Sequence, residues 1–288
     1  MSDSGRDLTS GVAVVTGGAS GFGRAIGGRC ADHGFSVALL DIDGERAAAE
    51  ASALATDHGV HSLGLGVDVG DAADVERAAN IVAQQLGGAD LVFSNVGVQQ
   101  IGALERFSDE AWTWMLDVNV IGAARVARSF LPFLRRSDSP RLAFTASASV
   151  LAPASRLAAY QASRFAILGL AETLRIELAE EDITVSVIFP SGMMTRHLES
   201  SLAARPTAIP EAIAEADDIE ALLASNPFIS QLATAEDAAH NAVDGVLAGE
   251  PYIVTHGDLL EAVTKQHDLL RQAAERARLR GQTGSARR

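Results

Sequence analysis

The sequence predicts an α/β protein built on one doubly wound, mostly parallel sheet of seven strands, with helices on both faces. Three observations lead to this class. Short apolar, β-branched segments alternate with helical patterns along most of the chain, as expected for parallel strands joined by right-handed crossover helices. The 288 residues are 48% hydrophobic, which is enough for one large core. Most predicted strands end in glycine or a polar residue, at the edge where such sheets bind ligands.

Each element follows from a local pattern. The first strand covers 12–15, a β-branched apolar run typical of a strand that is buried on both faces. The second strand covers 35–40, and an alanine-rich helix follows over 44–57. The later elements alternate in the same way. They are strands at 61–67, 89–94, 141–145, 183–189 and 252–255, and helices at 71–86, 108–134 (N-capped by Ser108), 154–180, 235–248 and 258–280.

The turn after the first strand predicts a dinucleotide site. Gly17, Gly21 and Gly23 lie between this strand and a helical pattern. Glycines let the backbone approach a pyrophosphate, whose charge the helix N-terminus stabilises. Asp41 ends the second strand 24 residues after Gly17, close to the offset expected for a carboxylate that binds ribose hydroxyls. A P-loop is the main alternative, and it fails because no Gly-Lys-Ser/Thr follows.

Asp41 also predicts which dinucleotide is bound. Its charge would repel a 2′-phosphate, and neither Ser20 nor Ile42 offers a cation to hold one. We therefore expect NAD in preference to NADP.

The alternation of strands and helices suggests how the chain is divided. Residues 11–257 are expected to form the sheet domain, after a flexible polar N-terminus at 1–10. Residues 258–288 are expected to form a C-terminal helix with a basic tail. The segment 195–232 breaks the alternation with three prolines and acidic helical patterns. We expect it to cover the ligand pocket as a lid, the alternative being a solvated insertion, and we call it the lid segment.

Composition excludes several classes of protein. A net charge of −14 argues against nucleic acid as a partner, and no apolar run is long enough for a membrane span. Cys30 is the single cysteine, which we interpret as a core residue, so no intrachain disulfide can form. A cytoplasmic setting fits this composition.

The seven histidines lack metal-ligand spacing, so no metal is expected. They are interpreted as surface or packing residues, with His256 as the strongest candidate for another role.

Residues 160 and 164 carry the predicted chemistry. Tyr160 and Arg164 share a helix face one turn apart, and the positive charge favours the phenolate that an acid/base needs. Ser147 lies 13 residues before Tyr160, where the fifth strand ends. Its hydroxyl could bind a carbonyl or alcohol oxygen beside the phenol.

Together, the motifs resemble those of the short-chain dehydrogenase/reductase family, in the same order. The motifs that carry the resemblance are Thr16–Gly23, Asp68-Val69, Asn95-Val96-Gly97, Asn119, Ser147, Tyr160 and Pro190–Thr195. The resemblance covers roughly residues 10 to 256. It implies a Rossmann-type sheet in the order 3-2-1-4-5-6-7 and hydride transfer between nicotinamide and a secondary alcohol or ketone. It also implies that Tyr160 is the general acid/base and that Ser147 orients the substrate oxygen.

The resemblance implies roles for further residues. Asn119 would hold a water in a proton relay and keep the fourth helix kinked. Asp68 and Val69 would contact the adenine, Asn95 and Gly97 would flank the adenosine ribose, and Thr195 would touch the nicotinamide carboxamide. The expected cofactor contacts are Gly17, Ser20, Gly21, Phe22, Gly23, Asp41, Ile42, Asp68, Val69, Asn95, Val96, Gly97, Tyr160, Arg164, Pro190, Gly192, Met193 and Thr195.

Arg164 departs from the family, which has lysine at this position. Arginine can bind ribose hydroxyls, but it cannot easily pass a proton because guanidinium does not deprotonate in proteins. Only one of the 23 basic residues is lysine, so a general bias offers a second explanation for the arginine. We expect a working oxidoreductase; the alternative is a catalytically impaired NAD-binding sensor or partner protein of the same fold.

The substrate pocket is expected to be mainly apolar, without a basic side chain aimed inside, and to take a hydrophobic or aromatic alcohol or ketone. Its expected lining is Val98, Gln99, Gln100, Ser149, Val150, Leu151, Pro153, Met193 and Met194. The helices at 108–134 and 154–180 carry apolar residues on more than one face, which favours a homodimer or homotetramer.

Overall fold

The computed structural model describes residues 11–209, 214–226 and 231–285, with side chains described as far as 280. The predicted N-terminal segment 1–10, two short parts of the lid segment and the end of the basic tail lie outside the described residues.

Seven strands form one parallel sheet in the order β3-β2-β1-β4-β5-β6-β7, which confirms the predicted fold class. The chain crosses over between β3 and β4, so two halves of the sheet diverge from the centre and leave a crevice at their carboxyl ends. The strands are β1 (Val12–Thr16), β2 (Ser36–Asp41), β3 (Ser62–Gly66), β4 (Leu91–Ser94), β5 (Arg141–Thr145), β6 (Thr184–Phe189) and β7 (Tyr252–Val254).

Helices cover both faces of the sheet. They are α1 (Gly21–Asp32), α2 (Gly44–His58), α3 (Ala72–Leu86), α4 (Asp109–Leu116), α5 (Gly122–Leu134), α6 (Ala158–Glu177), α7 (His197–Ala204), α8 (Ala216–Ser225), α9 (Ala235–Leu247) and α10 (Leu260–Ser285).

The two faces carry separate cores because neighbouring residues of a strand point in opposite directions. Val14 lies in a core that includes residues of α3, α5 and α6. Val15 lies in the opposite core, with residues of α1, α2 and α9. Cys30 belongs to this second core and is fully buried, as expected for a packing residue, and burial raises the pKa of its thiol. The strands are thus apolar on both sides, which explains their continuous β-branched sequences.

Two predicted helices begin or continue differently in the structure. The helix expected over 108–134 is divided into α4 and α5 by a π-helical turn, Asp117–Ile121. The extra residue of such a turn shifts the register of the helix and points the buried Asn119 inward. The helix expected from 154 begins at Ala158, because the preceding segment includes Arg156 in the left-handed region (φ 65°).

The lid segment contains α7 and α8 but no strand among its described residues. Across the described ranges, no helix has both the length and the apolar character needed to cross a bilayer. Within the same ranges, the structure has no group of three or more metal-ligating side chains placed to hold an ion.

Candidate active site

A cavity of about 1440 Å³ lies at the carboxyl ends of the strands. Residues that follow β1, β2, β4, β5 and β6 line it, and the lid segment forms another part of its wall. This is the edge at which open parallel sheets bind their ligands. The cavity is therefore the candidate active site.

The glycine-rich turn is packed tightly against its surroundings. Gly17 has a φ of +68°, and its N–H donates to the carbonyl of Leu40 at the end of β2 (2.7 Å). A Cβ at Gly23 would overlap the carbonyl oxygen of Gly17, so any larger residue would displace the turn. The Asp41 carboxylate accepts the N–H of Ala19 (3.0 Å). One acid thus orders the turn and stands at the mouth of the cavity.

Asn95 joins the ends of three strands. Its side-chain Nδ2 donates to the carbonyl of Thr16, the last residue of β1 (3.1 Å), and its Oδ1 accepts the hydroxyl of Thr145, the last residue of β5 (3.0 Å). Its backbone N–H donates to the hydroxyl of Thr16 (2.9 Å). Because all of these groups belong to strand ends, the cavity floor is held by the sheet rather than by a mobile loop.

Asn119 is fully buried and does not line the cavity. Its Oδ1 accepts the N–H of Val98 (2.7 Å), while its Nδ2 donates to the carbonyl of Val98 and to the hydroxyl of Ser163 (both 2.9 Å). Both amide hydrogens are therefore engaged within the protein. The side chain connects the segment after β4 to α6, the helix that carries Tyr160.

Arg164 is buried below the cavity (3% exposed), and its side chain reaches two elements. Its Nη1 donates to the carbonyl of Thr145 (3.0 Å), and its guanidinium carbon lies 5.0 Å from the centre of the Tyr160 ring. A Cβ at Gly97 would overlap Nη2, so the guanidinium occupies space that only glycine leaves free. The cation is thus fixed beside the phenol.

Ser147 follows β5 and caps a short turn. Its hydroxyl oxygen accepts the backbone N–H of Ser149 (3.2 Å) and the hydroxyl of Ser149 (3.0 Å). The Ser147 hydroxyl keeps its own hydrogen for another acceptor.

His197 lines the cavity, although the sequence analysis interpreted it as a surface or packing residue. It begins α7, and its Nε2 lies 2.9 Å from the carbonyl of Gly97, which fixes Nε2 as the donor. Its ring meets the Tyr160 ring edge to face, with centroids 6.2 Å apart. Burial lowers the pKa of His197 to about 4, and Arg164 acts in the same direction. The imidazole is therefore neutral near pH 7. A lone histidine in an irregular segment gives no periodic signal that could have revealed it.

The lid segment is fixed to the rest of the site by buried charge. Asp218 of α8 is 1% exposed and forms ion pairs with Arg106 and with Arg156 (3.4 Å to the latter). Ser155 donates its backbone N–H to the Ser225 hydroxyl (2.9 Å). Apolar contacts complete the closure, since Tyr160 shares a cluster with Leu198, Ile219 and Leu222.

The structure brings together every residue predicted to contact the cofactor, and all eighteen line the cavity. Of the predicted catalytic residues, Ser147, Tyr160 and Arg164 line it. Of the predicted substrate residues, Val98, Gln99, Ser149, Met193 and Met194 line it as well.

Four predicted substrate residues are placed elsewhere. Val150 is packed into the sheet core, and Leu151 packs against the cluster that contains Leu259. Pro153 is exposed, and Gln100 is buried with no hydrogen-bond partner for its amide in the described part of the chain. The turn after Ser147 directs the chain into the core, which the strand pattern alone did not indicate.

The prediction that no basic side chain is aimed into the substrate pocket remains a prediction, although arginines besides Arg164 border the cavity as a whole. Arg24, Arg46 and Arg196 border it. Arg24 pairs with Glu236 (3.0 Å) and Glu50 (3.7 Å), so its charge is largely compensated. Further lining residues that the sequence analysis missed include Trp114, Leu157, Leu198, Ala204, Pro206 and Asn226.

Comparison with known proteins agrees with this architecture. A family model described as short chain dehydrogenase matches residues 11–206, more than half of the chain. The chain is 28% identical to a D-beta-hydroxybutyrate dehydrogenase of Cupriavidus necator over 198 residues, 69% of this chain and 76% of the relative. It is 32% identical to a D-threitol dehydrogenase of Mycolicibacterium smegmatis over 184 residues, 64% of this chain and 70% of the relative.

Two solved structures resemble the chain. A short chain dehydrogenase/reductase from Burkholderia phymatum in complex with NAD has a TM-score of 0.84 at 27% identity, over 93% of this chain and 96% of the other. An alcohol dehydrogenase from Thermococcus sibiricus complexed with 5-hydroxy-NADP has a TM-score of 0.63 at 29% identity, over 66% and 80%.

Proposed function

The chain belongs to the short-chain dehydrogenase/reductase family, and from this premise we propose that it is an NAD-dependent oxidoreductase of secondary alcohols or ketones. One observation carries the proposal. Tyr160, Arg164 and Ser147 line the same cavity as the glycine turn and Asp41. A phenol, a cation and a hydroxyl thus border the space that a dinucleotide would share with a substrate.

The residues present fit a nicotinamide dinucleotide. The overlap that a Cβ at Gly23 would meet, and the positive φ of Gly17 and Gly21, are the features of a backbone that approaches a pyrophosphate. Asp41 would accept the adenosine ribose hydroxyls, Val69 would border the adenine, and Thr195 would contact the carboxamide. When bound, the cofactor supplies or accepts the hydride.

The preference for NAD rests on Asp41, whose carboxylate stands where a 2′-phosphate would come. Arg46 borders the same end of the cavity, so the preference depends on which charge dominates. Of the two similar structures described above, one was solved with NAD and the other with an NADP derivative. We expect the carboxylate to dominate, because its anchoring bond from Ala19 fixes it at the edge of β2.

In the proposed mechanism, Tyr160 gives a proton to the carbonyl oxygen in reduction and takes it from the hydroxyl in oxidation. Ser147 can donate its hydroxyl hydrogen to the same oxygen. Arg164 lies beside the phenol and stabilises negative charge on it. Because guanidinium does not release a proton, exchange at the Tyr160 oxygen uses water from the cavity.

The substrate proposed is a hydrophobic or aromatic alcohol or ketone. Beside the polar Gln99, Ser149 and His197, a set of apolar side chains lines the cavity. They are Val98, Trp114, Leu157, Met193, Met194, Leu198, Ala204 and Pro206. The named relatives act on hydroxybutyrate and on threitol, which are smaller and more polar than this lining favours.

The alternative is an NAD-binding sensor without turnover. The bond from Arg164 to the Thr145 carbonyl favours it, since a guanidinium used within the protein has fewer hydrogens for ribose.

Turnover of NAD with a panel of secondary alcohols, followed by NADH absorbance, distinguishes the two. For an enzyme, Tyr160→Phe should lower kcat by about a hundredfold to ten-thousandfold, while NAD affinity measured by calorimetry stays within about threefold, because removing one hydroxyl leaves the ring in place. Arg164→Lys, which restores the family residue, should keep turnover. Tight NAD binding with no turnover in wild type and in both variants would identify a sensor instead.

We also propose an oligomeric state and a cellular location for the protein. Phe165 and Ile176 of α6 are exposed apolar residues (39% and 79%), which suits burial between subunits of a homodimer or homotetramer. A cytoplasmic setting remains our expectation from the single, buried cysteine.

A further inference from the structure

His197 couples the lid segment to the reacting end of the cavity. The imidazole donates from Nε2 to the Gly97 carbonyl and faces the Tyr160 ring at 6.2 Å. A second bond runs beside it, because the Ser201 hydroxyl accepts the N–H of Gln99 (3.0 Å) and donates to the His197 carbonyl (2.7 Å). The ring is therefore held in one orientation at the wall nearest the phenol.

The tautomer of this ring determines what it can offer a ligand. With the hydrogen on Nε2, Nδ1 carries a lone pair and can only accept a hydrogen bond. Within the described residues, Nδ1 has no hydrogen-bond partner, and it is not sealed inside the protein. The ring lines the cavity, so the free acceptor is available to a molecule bound there.

The charge of the imidazole further limits which ligand groups it can bind. Burial and the neighbouring Arg164 keep the imidazole neutral through the physiological range. A neutral ring whose single N–H is already used cannot hold a carboxylate. It can accept a hydrogen from a hydroxyl.

We propose that His197 determines substrate specificity by accepting a hydrogen bond at Nδ1 from a second hydroxyl, on the carbon next to the reacting one. The substrate class is then an apolar-bodied vicinal diol, or the matching α-hydroxy ketone. Trp114 and Leu157 would border the apolar body, and the polar end would lie against the Tyr160 and His197 side chains, which line the same cavity. This inference rests on the oxidoreductase function proposed above and adds the substrate class.

Three matched aromatic substrates test it. They are a phenyl-substituted ethanediol, the secondary alcohol with methyl in place of hydroxymethyl, and mandelate, which has carboxylate there. Wild type should favour the diol over the methyl analogue by about tenfold or more in kcat/KM, because an unused acceptor penalises the analogue. Mandelate should be the poorest of the three.

Two substitutions of His197 and one of Ser201 separate recognition of the second hydroxyl from the positioning of the lid segment. His197→Phe keeps a ring against Tyr160 but has no acceptor, so the ratio between diol and methyl analogue should fall close to one. His197→Gln carries both an N–H and a carbonyl on one amide and should restore part of the ratio. Ser201→Ala removes the two bonds of the hydroxyl, to Gln99 and to the His197 carbonyl, but keeps the imidazole and its bond to Gly97. It should therefore lower both rates together and leave the ratio unchanged.

Binding measured without turnover keeps this inference distinct from the proposed function. Trp114 borders the cavity, so tryptophan fluorescence of the NAD-loaded chain should report each ligand. Selective binding of the diol without turnover would support the role of His197 and contradict the enzymatic function. Equal turnover of diol and methyl analogue, a ratio that survives in His197→Phe, a preference for mandelate, or no binding of any of the three would each overturn the inference.

Discussion

The glycine turn and the lid segment form two walls of one cavity, and they are held in different ways. The turn is held by bonds to the ends of strands: the backbone bond of Gly17 to Leu40, and the side-chain bonds of Asn95 to Thr16 and of Asp41 to Ala19. The lid segment is held by side chains, chiefly the ion pairs of Asp218 and the bond of His197 to Gly97. The glycine turn thus continues the core of the sheet, whereas the lid segment is attached to that core by side chains.

This difference predicts where the molecule can open. Bonds between groups at strand ends open only when the sheet itself loosens, whereas bonds that attach a lid to the rest of the chain can open locally. The cofactor wall should therefore be rigid and the substrate wall able to move. Such a division would suit a protein that admits substrate after binding a dinucleotide.

Of the changes considered, removing Asp218 should make the largest difference between the stability of the lid segment and that of the glycine turn. Asp218→Ala removes the buried carboxylate that Arg106 and Arg156 share, although Arg106 keeps its ion pair with Glu215 (2.6 Å). Because both arginines are one-third exposed, the loss should cost about 1.5 to 3 kcal/mol. Hydrogen exchange at the amides of α8 should accelerate strongly, while exchange at β1 should not change. Asp217→Ala removes an exposed carboxylate from the same helix turn and should cost less than about 1 kcal/mol. If β1 loosened as much as α8, the two walls would not be independent.

Adding one methyl group to the turn should have the next largest effect. Gly23→Ala places a Cβ against the Gly17 carbonyl, and overpacking of this kind costs about 1 to 3 kcal/mol. Urea titration should show the lower free energy of unfolding, and calorimetry should show weaker NAD binding. Gly28→Ala is the matched control, because it lies in the same helix α1 and an added Cβ would meet only a Leu54 methyl group at 4.0 Å. It should stabilise by about 0.5 to 1 kcal/mol. Equal behaviour of both variants would contradict the tight packing of the turn.

The smallest expected effect is the pH dependence that His197 gives to stability. Its pKa is lowered to about 4 in the folded chain, so the unfolded chain binds a proton first as the pH falls through about 6.5. Protonation of the unfolded chain lowers stability, and between pH 6 and pH 5 the loss should be about 1 kcal/mol. His197→Gln cannot titrate, so its stability should fall less over the same interval in urea titrations. Identical slopes for both proteins would show that the ring is protonated in the folded chain.

The two walls also differ in how far the sequence predicted them. Gly17, Gly21, Gly23 and Asp41 are close in sequence and sit at the ends of regular strands, so spacing and strand pattern were enough to bring them together. His197, Asp218 and Arg156 depend on contacts between segments that are far apart in the chain. No local pattern encodes such pairs, and the lid segment has no periodicity from which an inward face could be inferred.

The misplacement of Val150 and Leu151 has a similar cause. Both follow β5, and the prediction assumed that residues after a strand continue along the cavity wall. The Ser147 cap instead begins a short turn that returns the chain to the core. The division of the long helix into α4 and α5 was missed for another reason, because a single π-helical turn leaves the apolar pattern almost unchanged.

The space shared by Arg164 and Gly97 couples the side chains that these two positions accept. A Cβ at 97 would overlap Nη2, so the guanidinium would have to turn aside before a larger residue could fit. Libraries that vary residue 97 alone should therefore return mostly glycine. Libraries that vary both positions should pair larger residues at 97 with shorter side chains at 164.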